Sequence, residues 1–247
     1  MSKMSILVER NQLVIPGEII ARGSGLKTAG GVYRREINNQ TEIVASMIGL
    51  AQVRNDRVGV VPLEGCYIPL EGDIIIGKIT RVGITSWNVD IRGPYVGMLR
   101  VGNVIDRDFD SLRESIDRIL QIGDIIKAEI TYFDRTRDPV LTLHGRGLRK
   151  LTSGRLIEVD PVKIPRIIGK KGSMIQLLKN MTGSQINVGQ NGRIVLKANN
   201  IDLENLVERA IRKIEAEAHT SGLTDRIRDY LEKEKERLSN RSNKDEK

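Results

Sequence analysis

Residues 164–175 read Ile-Pro-Arg-Ile-Ile-Gly-Lys-Lys-Gly-Ser-Met-Ile, and this stretch narrows the possible folds more than any other. Two glycines bracket two lysines, with apolar residues on both sides. Gly169 and Gly172 lack a Cβ, so a tight turn there lets a ligand approach the backbone closely. Upstream, Leu156 to Asp160 has a strand pattern. Downstream, Met174, Ile175, Leu177, Leu178 and Met181 share one helical face. A turn that opens a helix presents free N–H groups and the positive end of the helix dipole. Lys170 and Lys171 add mobile positive charge, with Arg166 just before them. Such a string predicts a cradle for phosphate.

The charge map agrees. The formal net charge is +8. Residues 1–149 hold 20 basic and 18 acidic side chains, 150–198 hold 9 and 2, and 199–247 hold 11 and 12. Nearly all the excess therefore surrounds the Gly-Lys-Lys-Gly turn, the footprint expected for a polyanion. Eight aromatics in 247 residues leave base stacking a minor role, so backbone and charge should dominate and affinity should fall steeply with salt. Cys66 is the single cysteine, which rules out an intrachain disulfide and a cysteine-based zinc site. It reads as a small buried residue. No signal-peptide pattern is seen, and runs such as Ile74-Ile75-Ile76 are too short to span a bilayer. A soluble cytoplasmic protein without membrane contact is expected.

Patterning divides the chain into small parts and predicts a multidomain α+β protein. Residues 1–65 look all-β, with strands at Leu13–Gly17, Glu42–Ile48 and Arg57–Val61. The Gly-rich segments Arg22–Gly25 and Thr28–Gly31 read as flexible loops; no Lys-Ser pair completes a P-loop. Residues 66–149 read as a small closed β barrel. Ile74–Thr80, Trp87–Ile91, Ile125–Tyr132 and Val140–His144 supply strands. A helix is expected over Ser111–Leu120, with Ser111 and Glu114 as a capping box. Five short strands with a helix before the fourth suit an OB-fold, a common oligonucleotide binder. Gly17-Glu18-Ile19-Ile20, Gly72-Asp73-Ile74-Ile75 and Gly123-Asp124-Ile125-Ile126 echo one another as a turn leading into a strand.

Residues 150–222 give strand, turn, helix, strand, strand, helix, with Asn191-Gly192 marking a hairpin between Gln185–Val188 and Arg193–Lys197. This is the pattern of the KH domain, an α/β sandwich whose GxxG loop clamps a short run of nucleotides by the backbone. Residues 223–247 form the C-terminal part. A shorter helix is expected through Ile227, Tyr230 and Leu231, followed from Glu232 by a frayed charged tail.

A β-rich N-terminal domain, an S1-type OB-fold barrel and one KH domain, in that order, resemble the RNA-binding cap subunits of the archaeal exosome over nearly the whole chain. The resemblance is sharpest at Gly72–Ile79, Trp87–Ile91 and Ile164–Ile175. It implies a non-catalytic subunit with no cofactor or metal. Three copies would sit on a hexameric ring of RNase PH-like subunits, docking through the N-terminal domain. They would capture single-stranded RNA and guide its 3′ end into the pore for 3′-to-5′ degradation or polyadenylation by the ring. The expected RNA contacts are Gly169, Lys170, Lys171, Gly172 and Arg166 in the KH domain, and Lys78, Arg81, Tyr95, Arg100, Arg135 and Arg137 on the barrel. Trp87 shares its face with Val89 and Ile91 and reads as core. Tyr95 is open between RNA stacking and loop packing.

Other readings are weaker. Asp106-Arg107-Asp108-Phe109-Asp110 clusters carboxylates that suit a divalent cation, but a charged helix N-terminus explains them better. His144 and His219 have no partner arrangement for a nucleophile or general base. Polynucleotide phosphorylase joins the same modules but carries catalytic domains for which there is no room here. The other cap subunit has a zinc ribbon, which one cysteine cannot build. The remaining alternative is a stand-alone RNA-binding factor in transcription or ribosome function.

Overall fold

The computed structural model describes residues 5–23, 25–37, 40–54, 57–63, 65–105, 115–134, 136–218, 220 and 222–245. The chain forms two compact units, Met1–Gly65 and Cys66–Lys247.

The first unit is all-β. Its strands are β1 (Ser5–Ile6), β2 (Leu13–Val14), β3 (Ile19–Arg22), β4 (Lys27–Thr28), β5 (Val32–Ile37), β6 (Gln40–Ala45), β7 (Gly49–Arg54) and β8 (Arg57–Pro62). They make two four-stranded sheets, ordered β1-β3-β6-β5 and β2-β7-β8-β4. Alternating residues from both sheets, among them Val14, Ile20, Ile43, Val58 and Val60, fill one core. Glu42 receives hydrogen bonds from Arg35 at 2.9 Å and Arg22 at 3.0 Å, which hold its carboxyl below the usual range. The segment Thr28–Gly31 departs from the expected flexible loop. The Ala29 N–H donates to the Val58 carbonyl and the Val60 N–H to the Gly30 carbonyl, both at 2.9 Å, so β8 holds it as an edge. Ser24, in the other Gly-rich segment, lies outside the described residues.

The second unit begins with a barrel built from β9 (Ile74–Val82), β10 (Ser86–Asp90), β11 (Val96–Arg100), β12 (Ile125–Tyr132) and β13 (Val140–Thr142). Strand order β13-β11-β10-β9-β12 closes where β13 pairs parallel with β11 and antiparallel with β12. Closure removes the free edges that a sheet of this size would otherwise expose. A further strand, β14 (Arg149–Leu151), pairs with the start of β12. Inward residues Ile75, Ile79, Trp87, Val89, Leu99, Ile126, Ala128, Ile130 and Leu141 pack the interior. Trp87 is fully buried, and its indole N–H donates to the Leu120 carbonyl at 3.0 Å.

The three echoed strings are one device used three times. Gly17, Gly72 and Gly123 have φ of 90°, 84° and 93°, as the third residue of a type II turn requires. In each turn the following carboxylate accepts an N–H from three residues back: Glu18 from Ile15, Asp73 from Leu70, Asp124 from Gln121. β3, β9 and β12 start directly after these turns.

Two expectations fail in this half. Ser115 has extended backbone, and the described part of the predicted Ser111–Leu120 helix is a single 3₁₀ turn, Ile116–Arg118. The apolar spacing is still used, because Ile116 and Leu120 cap the barrel core. Residues 111–114, with the capping box, lie outside the described residues. Cys66 is exposed rather than buried; its neighbour Tyr67 turns into the core instead.

The C-terminal fold comprises β15 (Arg155–Glu158), α1 (Ile164–Ile168), α2 (Ser173–Thr182), β16 (Gln185–Val188), β17 (Arg193–Lys197), α3 (Ile201–Ala216) and α4 (Leu223–Asp245). The sheet order is β15-β17-β16, all antiparallel. One sheet face, with Ile157, Ile186, Ile194 and Leu196, packs on Met174 and Leu178 of α2 and Leu206, Val207, Ala210, Ile211 and Ile214 of α3. The Asn200 side chain caps α3 by accepting the Leu203 N–H at 2.7 Å. α4 is longer than expected. Ile227 and Leu231 join the core, and beyond Glu232 the helix is held by Leu238 packing, by the Arg209–Glu234 pair and by Lys235 on the Met181 carbonyl. No helix among the described residues is long and apolar enough to cross a membrane.

The hairpin loop Gly189–Gly192 locks this fold to the barrel. Asn191 has no exposed surface. Its side chain accepts the Ile76 N–H at 3.1 Å and donates to the carbonyls of Ile76 at 2.8 Å and Ile91 at 2.9 Å. Gln190 exchanges two bonds with the Ile74 backbone. Beside them, buried Arg193 reaches the Asp90 carboxylate at 2.6 Å, the Asp90 carbonyl at 2.7 Å and Glu158 at 2.9 Å. Arg92 bonds the carbonyls of Val159 and Gly192. Burial pushes the Asp90 carboxyl up, but hydrogen bonds from Arg193 and the Arg92 N–H outweigh it and hold the group below the usual range.

Candidate nucleic-acid interface

α1 stops because Gly169 takes φ 76° and ψ 172°, a conformation essentially reserved for glycine. A Cβ there would meet the Met174 nitrogen at 2.7 Å. The chain then makes one 3₁₀ turn over Lys170–Gly172, in which Lys171 is itself left-handed at φ 53°. Gly172, at φ 82°, starts α2 without a side-chain cap. The Ser173 N–H is taken by the Lys170 carbonyl, and no side chain caps the amides that follow at the positive end of the helix. Lys170 and Lys171 are exposed and have no partner among the described residues. Ile168 and Ile175 flank the turn half-buried, packed on the core beneath. Arg166 is exposed too, but its guanidinium donates to the Thr220 carbonyl, which ties it to the connection between α3 and α4. The Gly169 and Gly172 amides are spent inside the turn, on the carbonyls of Pro165 and Gly169, so what the turn brings to one rim is two ammonium groups without a partner among the described residues.

On the barrel, Tyr95, Arg100 and Arg137 line one groove of about 550 Å³ together with Met98, Tyr132, Thr136, Asp138 and Val140. Tyr95 packs edge-on against Phe133, with ring centroids 4.8 Å apart. It is half-buried, so one part packs the loop and another faces the groove. Arg81 pairs with Asn88, which pairs with Met98, so Arg81 lies two strands away on the same outer face. Lys78 is exposed on the same strand, opposite Asp90, and its charge adds to those that lower the Asp90 carboxyl. Arg135 lies outside the described residues, as do Asp106–Asp110 and His219. Among the described residues no cluster of His, Cys, Asp and Glu is suited to a metal ion. His144 holds its ring nitrogen 2.8 Å from the Gly102 carbonyl.

Sequence reasoning missed Tyr132. Strict alternation would place it inside the barrel with Ile126, Ala128 and Ile130. A register shift between Ile130 and Tyr132 turns it outward, leaving it 46% exposed at the groove. Its hydroxyl donates to Asp134 at 2.8 Å, and that bond raises the phenol above its ordinary value.

The KH domain family matches residues 155–216. Exosome complex component Rrp4 of Thermofilum pendens is 41% identical over 231 residues, 93% of this chain and 96% of that one. The protein of the same name from Thermosphaera aggregans is 40% identical over 238 residues, covering 94% and 95%. A crystal structure described as a candidate exosome complex RNA-binding protein superposes with a TM-score of 0.65 at 44% identity, over 70% of this chain and 98% of that one.

Proposed function

The chain belongs to the Rrp4 family of exosome complex components, and on that premise we propose that it is the non-catalytic RNA-binding cap of a cytoplasmic archaeal exosome. In this reading three copies sit on a hexameric ring of RNase PH-like subunits. Each holds single-stranded RNA by its sugar-phosphate side and feeds the 3′ end to the ring for 3′-to-5′ degradation or polyadenylation. The observation that carries the reading is the Gly169–Gly172 turn, with two exposed lysines that have no partner among the described residues at the start of α2, which no side chain caps. Phosphates approach the turn beside Gly172, where the space a Cβ would take is open, and Lys170 and Lys171 neutralise them. Tyr95, Tyr132, Arg81, Arg100 and Arg137 then offer the strand a second, partly aromatic surface on the barrel.

Docking through the N-terminal unit is supported by an apolar strip. β2 pairs with β7 so that Leu13 faces Leu50 across the sheet. On that outward face Leu13, Ile15 and Ile48 are 55%, 58% and 53% exposed. Adjacent apolar side chains left this open suit a protein partner.

Size-exclusion of the chain with an RNase PH-like ring, followed by an RNA decay assay, tests the assignment. Co-elution and faster decay of a long single-stranded RNA than with the ring alone are expected. An RNA-binding chain that never co-elutes is instead a stand-alone factor, and decay by the chain alone makes it an enzyme.

A further inference from the structure

The sheet of the C-terminal fold has a second face that no helix covers. Gln185, Asn187, Val195 and Lys197 alternate with the core residues Ile186, Ile194 and Leu196, so they point to that second side, where Val195 is itself buried and Gln185 and Lys197 are exposed. The strand β14 and the link after it, Arg149–Ser153, run opposite, and together they bound a cleft of about 330 Å³. The volume is at the small end of the ~300–1,000 Å³ typical of ligand sites. Among the described residues its lining contains three cations, two amides and two hydroxyls, and not one carboxylate.

The charge around this cleft is unbalanced. Lys150 is paired with Asp124 at 2.5 Å. Arg149, Lys197 and the nearby Lys127 and Lys179 make no ion pair with any described residue. Burial, then the neighbouring charges of Lys179 and Arg149, pull the Lys127 ammonium below the ordinary lysine range. Crowded cations with no counter-charge are stabilised by an anion. Lys179 also gives the cluster direction. It lies on α2, six residues beyond Ser173, or ~9 Å along the helix from the Gly-Lys-Lys-Gly turn.

The geometry points to a further binding site, for the sugar-phosphate backbone of single-stranded RNA, in the cleft between Arg149–Ser153 and the face of β16 and β17 turned away from the helices. The cations engage phosphates, while Gln185, Asn187, Thr152 and Ser153 supply donors and acceptors for 2′-hydroxyls and base edges. The strand then runs from the turn along α2 and into the cleft. The proposal rests on the chain being an RNA binder and adds a contact separate from both the turn and the barrel groove.

The test is binding of a fluorescein-labelled oligouridylate to the full chain as salt is varied, for R149A/K197A and, separately, K170D/K171D. Both cleft residues are exposed and make no ion pair with a described residue, so unchanged melting is expected. Each lost phosphate contact flattens the slope of log affinity on log salt by about 0.7, so the cleft double variant should flatten it by about 1.4 and bind about 25-fold more weakly near 0.1 M salt. In the unaltered chain, a 4-thiouridine version of the probe should crosslink to the peptide holding Gln185 and Asn187. Loss in R149A/K197A alone, with K170D/K171D unaffected, supports the cleft and removes the turn from the path. Unchanged slope in R149A/K197A while K170D/K171D loses affinity overturns the cleft and leaves the turn standing. Loss of ring assembly with RNA binding intact makes the cleft a protein contact and also overturns it, as do crosslinks confined to the turn and the barrel groove.

Discussion

Changing Lys170 and Lys171 together to Asp is expected to weaken binding of single-stranded RNA by at least about 25-fold near 0.1 M salt, with the fold unchanged. Two phosphate contacts at about 0.7 each in the salt exponent give that factor, and reversal of the charge adds to it. The fold should tolerate the change because both side chains are exposed and have no partner among the described residues. Lys171 occupies a left-handed conformation at φ 53°, which Asp adopts more readily than most residues. Acidic side chains at the start of α2 also favour the helix dipole. Fluorescence anisotropy over a salt series reads the loss, and circular dichroism melting confirms the fold. Equal affinity for variant and parent at every salt concentration would remove the turn from the RNA path.

Asn191→Leu should have the largest effect on stability, about 3–9 kcal/mol from three backbone groups left without partners. The side chain sits where water does not reach and satisfies three backbone groups of the barrel, the N–H and C=O of Ile76 and the C=O of Ile91. Leucine has nearly the same size but leaves those groups without partners, at about 1–3 kcal/mol each. The lock between barrel and sheet then depends on Gln190, Arg92 and Arg193 alone. Urea unfolding followed by circular dichroism should show a lower midpoint and a separate transition for the C-terminal fold. A midpoint within experimental error of the parent would mean the loop does not hold the two folds together.

The local parts of this architecture are readable in the sequence because they depend on short-range rules. Glycine plus acid before an isoleucine pair specifies three type II turns, and Asn191-Gly192 specifies a hairpin. What the same residues touch is a different matter. Nothing in Gln190-Asn191 says that this loop reaches 115 residues back to bond Ile76; the hairpin rule is satisfied either way. Tyr132 escaped because alternation assumes a regular strand and β12 has a register shift at its end. The expected helix at Ser111–Leu120 followed apolar spacing that barrel capping satisfies with one 3₁₀ turn at Ile116. α4 outran its apolar residues because ion pairs and Lys235 on Met181 extend it, contacts that composition does not reveal. The Gly169–Gly172 turn is the opposite case. Its glycines, lysines and flanking apolar residues are contiguous, so the sequence shows its chemistry directly.

The most direct measurement is an NMR titration of the isotope-labelled chain with single-stranded RNA. Amide resonances from Gly169 through Ile175 should shift in proportion to occupancy, and the shifts should disappear as salt is raised. RNA that binds while those amides stay fixed would contradict the account.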